Sequence, residues 1–220
     1  MLKVLYEDNH LIVINKKSGD IVQGDITGDL PLSDIVKAYI KKKYKKIGEV
    51  FLGTIHRLDR PTSGIVIYAR TSKALARMNE QFRKKEVDKT YWAIVEKPPP
   101  NNSGILENYL KKNQKQNKSY ITNKEEGKHA ILEYKLLKKL DKYYHLEINP
   151  KTGRHHQIRV QLSNIGCIIK GDLKYGARRN NKDASIHLLA YKIKFLHPVK
   201  KEIITITAAP PQDNIWDACS

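Results

Sequence analysis

The chain has 220 residues, 40% hydrophobic and 29% charged, which suits a globular protein of one or two domains and excludes a disordered one. Its 41 Lys+Arg against 23 Asp+Glu give a net charge of +18, an excess that favours a polyanionic partner through counterion release unless lysine only fills solvated faces. The two cysteines, Cys167 and Cys219, form no CxxC pair, which excludes a zinc ribbon and a thioredoxin-like site and fits a reducing compartment better than a disulfide scaffold. The N-terminal MLKVLYEDNHLIVINKK is not a signal peptide, no stretch approaches the roughly 20 apolar residues of a membrane helix, and neither glycine-loop nucleotide motif occurs. The expectation is a cytoplasmic protein without membrane contact.

Residues 2–6 and 10–15 are short, β-branched and separated by turn residues, and read as strands. Ser33-Asp34 is expected to cap a helix running to about Lys46, with Ile35, Val36, Tyr39 and Ile40 on one face. Residues 64–70 (GIVIYAR) read as a buried strand, Ser72 as the cap of the helix SKALARMNEQFRKKE, and 90–95 (TYWAIV) as a further strand. The proline-rich break at 98–104 is a linker or a long turn. Residues 111–128 are polar and lysine-rich, an exposed hairpin or mobile loop that is either solvated or RNA-contacting. Strands are expected at 130–137 and 143–149, then a helix over 155–165 closed by Gly166. Strands at 167–170, 186–196 and 202–207 follow, with an irregular tail from Pro210-Pro211. Many strands with helices between them make an α+β or mixed chain, with no repeat and no clean domain boundary.

Nine of the basic residues are arginine, and four of these, Arg57, Arg60, Arg154 and Arg159, fall in two short segments. Lysine supplies a diffuse field, whereas the planar fork of arginine suits a specific anion contact. In the first segment, HRLDRPTSG, Pro61 and Gly64 bracket a tight turn that precedes an apolar strand, the kind of loop that presents a side chain at the end of a sheet. Asp59 has cations at 57 and 60, which suits an ionised carboxylate acting as nucleophile or electrostatic stabiliser; a turn residue making a local hydrogen bond is the alternative. In the second, KTGRHHQIRV, a turn leads into a helix whose first turns are polar and basic, where phosphate is favoured. His155 and His156 on a helix point about 100° apart and cannot share a metal; a metal-dependent nuclease built around His145, His155 and His156 is the weakest reading. Arg159 borders the apolar face of Ile158, Leu162 and Ile165, and once buried it needs a carboxylate partner, for which Asp59 is a candidate. In KTYWA, Tyr91 and Trp92 lie on opposite faces of a strand, so one can pack in the core while the other stacks on a base, worth roughly 1–3 kcal/mol.

Together HRLDRPTSG, KTYWAIVE, GRHHQIRVQLSNIGCIIKGDLKYG and LLAYKIKFLHP, in this order over about residues 3–208, resemble the RluA-type pseudouridine synthases. The resemblance implies an α+β pseudouridine synthase fold, a mixed and largely antiparallel sheet flanked by helices with a basic catalytic cleft. It implies one catalytic domain over 1–220, without the N-terminal S4 RNA-binding domain of many relatives. The implied activity is isomerisation of specific uridines in structured RNA, ribosomal or transfer, using neither cofactor nor metal; a monomer is expected, although the sequence itself carries no sign of oligomeric state. Asp59 falls on the family's essential aspartate, Tyr91 on its active-site tyrosine, and Arg159 on the arginine that pairs with the aspartate. Leu188 falls near an apolar position lining the uracil pocket, and His56, Arg57, Arg60 and Arg154 are candidates for phosphate or loop-shaping contacts. His155 stands where relatives commonly have Thr and Leu189 where they often have His, departures that bear on RNA contacts rather than chemistry. The competing reading is a non-catalytic RNA-binding or chaperone protein that retains the fold.

Overall fold

The computed structural model describes residues 2–24 and 28–219. In chain order the elements are β1 (Val4–Glu7), β2 (Leu11–Lys16), α1 (Leu32–Lys43), β3 (Gly53–Thr54), β4 (Ser63–Ala69), α2 (Ser72–Lys84), β5 (Asp88–Val95) and β6 (Ser103–Asn113). They continue with β7 (Lys118–Thr122), β8 (Lys128–Lys139), β9 (Tyr144–Pro150), α3 (Gln157–Asn164), a 3-10 turn (Leu173–Tyr175), β10 (Leu188–Leu196), β11 (Ile203–Thr207) and α4 (Asn214–Asp217). The α+β composition expected from the sequence is what forms. The chain divides into two units, Met1–Asp88 with Ala190–Pro210 and Lys89–Leu189 with Pro211–Ser220.

In the first unit the strand order is β1-β2-β4-β10, with β3 on β4 and β11 on β10. The pairs β1–β2, β2–β4, β3–β4 and β10–β11 are antiparallel. Leu11, Ile12, Val13 and Ile14 are all fully buried, as an apolar run without alternation must be when both sheet faces are covered. One face of β2 and β4, carrying Ile12, Ile14, Val66 and Tyr68, packs on Val36 and Ile40 of α1. On α2, Gln81 is sewn to β10: its amide donates to the Leu196 carbonyl at 2.9 Å and its carbonyl accepts the Leu196 N–H at 3.2 Å.

Both helix starts in this unit differ from the expectation by one residue or more. Pro31, not Ser33-Asp34, precedes α1; its preset φ of −75° starts the helix without any side-chain cap. The end comes at Lys43 because Lys45 turns left-handed (φ 49°), and the Lys46 N–H closes on the Lys41 carbonyl at 3.0 Å. Thr71, not Ser72, caps α2 by accepting the Ala74 N–H at 3.2 Å.

In the second unit the order is β5-β9-β8-β6-β7, every neighbouring pair antiparallel. Ala93, Val95, Leu132, Leu146 and Ile148 form a core with Ile158 and Leu162 of α3. The lysine-rich 111–128 stretch is a hairpin, the end of β6, all of β7 and the turn to β8, and Ser119 in its middle is buried. The expected break at 98–104 is a turn between β5 and β6 only as far as 102, because Ser103 and Gly104 already pair with β8 as the start of β6. Residues 167–170 do not extend into a strand: Ile169 makes a single bridge to Val95, hemmed by the left-handed Gly166 (φ 80°) and Gly171 (φ 86°). The tail is not wholly irregular either. Asp213 caps the one-turn α4 through the Ile215 N–H at 2.8 Å, and Trp216 is buried against the His187 ring with centroids 5.5 Å apart.

His145 shares this apolar setting, with Trp92 edge-on at 4.9 Å and Trp216 at 6.2 Å. Neither of its ring nitrogens has a hydrogen-bond partner among the described residues. Burial, helped by the Lys138 charge, pulls its pKa down to about 4 from 6.5. The unfolded chain therefore binds a proton over a window where the folded one does not, so stability is full above pH 6.5 and lost as the pH falls toward 4. His145 accounts for about 3 kcal/mol of that loss, and buried His156 adds to it with the same sign. His145→Leu is expected to reduce the fall in urea midpoint between pH 7 and pH 4.5; an unchanged fall would contradict it.

Candidate active site

The loop that carries Asp59 is organised by a buried lysine. Lys16 closes β2 with only 1% of its surface exposed. Its ammonium donates to the carbonyls of Lys17 at 2.9 Å, Arg60 at 3.0 Å and Thr62 at 2.7 Å. Arg60 also accepts the Gly19 N–H at 2.9 Å, and the Thr62 N–H closes the turn on the Asp59 carbonyl at 3.0 Å. The backbone just after Asp59 is thus fixed from three sides. Burial lowers the pKa of Lys16 to about 8, opposed by the charges of Asp20 and Asp59 and assisted by Arg60. Gly64 completes the loop at φ 113°, where a Cβ would stand 2.7 Å from the Ala190 nitrogen and closer still to its oxygen. The glycine of TSG is therefore required both by conformation and by the close passage of β10.

Around this turn the other candidates spread out. Asp59 is half-buried and Arg57 exposed. Arg60 is exposed and reaches Asp29 at 2.8 Å. His56 shapes the loop from below. Its Nε2 accepts the Ile67 N–H at 3.1 Å, and its ring stacks on Phe82 with centroids 5.1 Å apart.

In the second unit the buried residue is Arg159, 5% exposed. Asp172, 1% exposed, grips it with both oxygens: Nε donates to Oδ2 at 2.7 Å and Nη2 to Oδ1 at 2.8 Å. Asp172 is the residue that sequence reasoning missed. Its only signal was the acidic letter in GDLKYG, thirteen positions past the arginine, and no periodicity links the two. α3 is anchored beside the pair by its glutamines. Gln157 Oε1 accepts the Thr152 hydroxyl at 2.8 Å and the Arg154 N–H at 2.9 Å, and Gln161 Nε2 donates to the Leu106 carbonyl at 3.0 Å and Asn108 Oδ1 at 2.9 Å.

The expected helix over 155–165 starts two residues late. His156 is left-handed (φ 53°) and only its carbonyl joins the helix, accepting the Val160 N–H at 3.0 Å. The two imidazoles are consequently not splayed as they would be on a helix; they stack with centroids 3.8 Å apart. Arg154 stays exposed and its Nε donates to the His129 carbonyl at 2.8 Å. Tyr91 is half-buried and packs on the cluster that holds Leu188 and Ile158, so these two predicted residues do share one apolar neighbourhood. Trp92 lies against His145 instead. Among the described residues no group of three His, Cys, Asp or Glu is placed to hold a metal ion, and no helix is long and apolar enough to cross a membrane.

The profile of RNA pseudouridylate synthases matches residues 10–164. The chain is 35% identical over 97% of its length to the ribosomal large subunit pseudouridine synthase C of Buchnera aphidicola, spanning 68% of that protein. It is 30% identical over 96% of its length to the ribosomal large subunit pseudouridine synthase D of Zymomonas mobilis, spanning 70% of it. Among solved structures, human RNA pseudouridylate synthase domain containing 4 superimposes with a TM-score of 0.81 at 25% identity, covering 97% of this chain and 90% of that one. This chain belongs to the RNA pseudouridylate synthase family. The fold is that of a pseudouridine synthase domain, and the protein is an RNA pseudouridine synthase.

Replacing Lys16 by Met removes a donor shared by three carbonyls, two of them in the Asp59 turn, with an expected loss of roughly 3 kcal/mol for the buried groups left unpaired. Urea unfolding checks it; a loss under about 1 kcal/mol, the worth of one ordinary hydrogen bond, would contradict the role assigned to the ammonium.

Proposed function

We propose that this protein converts specific uridines of large-subunit ribosomal RNA to pseudouridine, with Asp59 as the essential carboxylate and Tyr91 and Arg159 serving the same reaction. The observation that carries the reading is the likeness along almost the whole chain to relatives named for that RNA, with Asp59 kept on a turn whose backbone is pinned. The reaction is an isomerisation. The N1–C1′ bond breaks, uracil turns, C5 bonds to C1′, the C5 proton leaves and N1 regains one. A carboxylate serves it by attacking the base or by promoting departure at the sugar. Tyr91, at the edge of the apolar cluster with Leu188, suits contact with a uracil ring and removal of the C5 proton. Nothing in this sequence of bond changes requires a cofactor or a metal.

A uridine in a duplex must be turned out of the stack, at a cost of a few kcal/mol. Backbone contacts offset that cost. We assign His56, Arg57, Arg60 and Arg154 to the phosphates and to shaping the loops that meet them. The net charge of +18 supplies the long-range attraction. We take residues 1–220 to act as one catalytic domain, a monomer working in the cytoplasm.

Ribosomal RNA labelled with tritium at uracil C5, taken from cells lacking the gene, tests the assignment. The wild type is expected to release tritium, and Asp59→Asn and Asp59→Ala to release none above background while still binding the RNA. Release by both variants would remove Asp59 from the chemistry. Binding by the wild type without release, weakening steeply with salt, would point to the non-catalytic RNA-binding alternative.

A further inference from the structure

We propose that His156 is the positioning residue of Arg159: its Nε2 lone pair takes a third guanidinium N–H and fixes the plane in which Asp172 holds the arginine. The inference rests on the reading that Arg159 serves the reaction. Asp172 grips Nε and Nη2, one edge of the fork. Two parallel hydrogen bonds on one edge set distance and direction but do not by themselves fix the plane about that edge, over which the Tyr175 ring centroid lies 5.1 Å from Cζ. Nη1 lies on the opposite edge, and it is 3.0 Å from His156 Nε2. A third bond there opposes rotation of the plane about the carboxylate edge.

The direction of each bond follows from chemistry. A guanidinium has no acceptor, so Arg159 donates and His156 Nε2 accepts. Nε2 is then unprotonated, and the ring proton of a neutral imidazole sits on Nδ1. Nδ1 lies 3.0 Å from the Tyr175 hydroxyl, which receives it. That hydroxyl also accepts the Ser119 N–H at 2.9 Å and donates to the Ser119 carbonyl at 3.2 Å. The tautomer is thus written into β7, and the lysine-rich hairpin has a structural task. His155 is held by the same residue: the Ser119 hydroxyl lies 2.8 Å from His155 Nδ1 and donates to the His155 carbonyl at 2.7 Å. The ring of His156 lies against His155 on one side and Tyr175 on another. Burial first, then the charges of Arg159, His155, Lys174 and Lys112, hold the pKa of His156 near 2, so the acceptor stays neutral.

The left-handed backbone of His156 gives a test in which stability and activity part company. Asparagine tolerates φ 53° well, but its amide is too short to reach Arg159. Glutamine fits that backbone less well, but its carbonyl oxygen extends about as far as Nε2. Single-turnover tritium release is therefore expected to fall about 10–100-fold in His156→Asn and His156→Ala, the scale of a misaimed group. His156→Gln is expected within about tenfold of wild type, with RNA affinity unchanged in all three. His156→Asn in an Arg159→Ala background is expected to add no further loss.

Equal losses in Asn and Gln, a wild-type rate in Asn, or loss of RNA affinity in step with rate would overturn the assignment. A wild-type rate in Arg159→Ala alone would instead overturn the reading beneath it. Nitrogen-15 NMR of the histidine-labelled wild type needs no variant: an unprotonated Nε2 with a protonated Nδ1 on His156 is expected, and a protonated Nε2 would refute the proposal outright.

Discussion

Taking a guanidinium out of water costs several kcal/mol even after the protein relaxes, and a carboxylate in fixed geometry is what offsets it. Much of the second unit is arranged around that requirement. α3 starts abruptly at Gln157, which turns Arg159 inward. The chain then has to bring a carboxylate back within thirteen residues. It does so through two close glycines: Gly166 ends the helix region, and Gly171 stands where a Cβ would meet the Ser185 carbonyl at 2.7 Å. Gln157 and Gln161 tie the helix to the β8 and β6 backbones, so the arginine has a rigid base.

The first unit meets the same physical problem in another way. Lys16 is as buried as Arg159, but its ammonium is met by three carbonyl oxygens rather than by a carboxylate. Carbonyls satisfy the donors without cancelling the charge. The ammonium of Lys16 therefore faces backbone oxygens, its charged form favoured by nearby Asp20 and Asp59, while the charge of Arg159 is shared with Asp172.

The strands and helices were legible in the sequence wherever one periodicity dominated. The unbroken apolar runs of β2 and β4 and the helical stripe of α2 form within a residue or two of the expected limits. What misled were choices between neighbours of similar propensity, Thr71 against Ser72 and Pro31 against Ser33, which are decided by the direction from which the chain enters the helix. The apolar 167–170 stretch looked like a strand because composition does not reveal the glycines' left-handed turns on either side. His156 was harder still. A non-glycine residue in the left-handed region is held there by its tertiary bonds to Tyr175 and Arg159, none of which has a signature in local pattern. Motif letters located the turn of Asp59 and the helix of Arg159, but the groups that hold them, Lys16 and Asp172, lie in stretches that local chemistry alone would call a strand end and a turn.

Where pseudouridine appears in the cell decides most directly whether this protein acts on large-subunit ribosomal RNA. Large-subunit ribosomal RNA and transfer RNA from a strain lacking the gene, with and without the wild-type gene restored, can be mapped by carbodiimide modification and primer extension. Restoration is expected to bring back one or a few stops at defined uridines of the large-subunit RNA. Identical maps with and without the gene, or restored stops confined to transfer RNA, would contradict it.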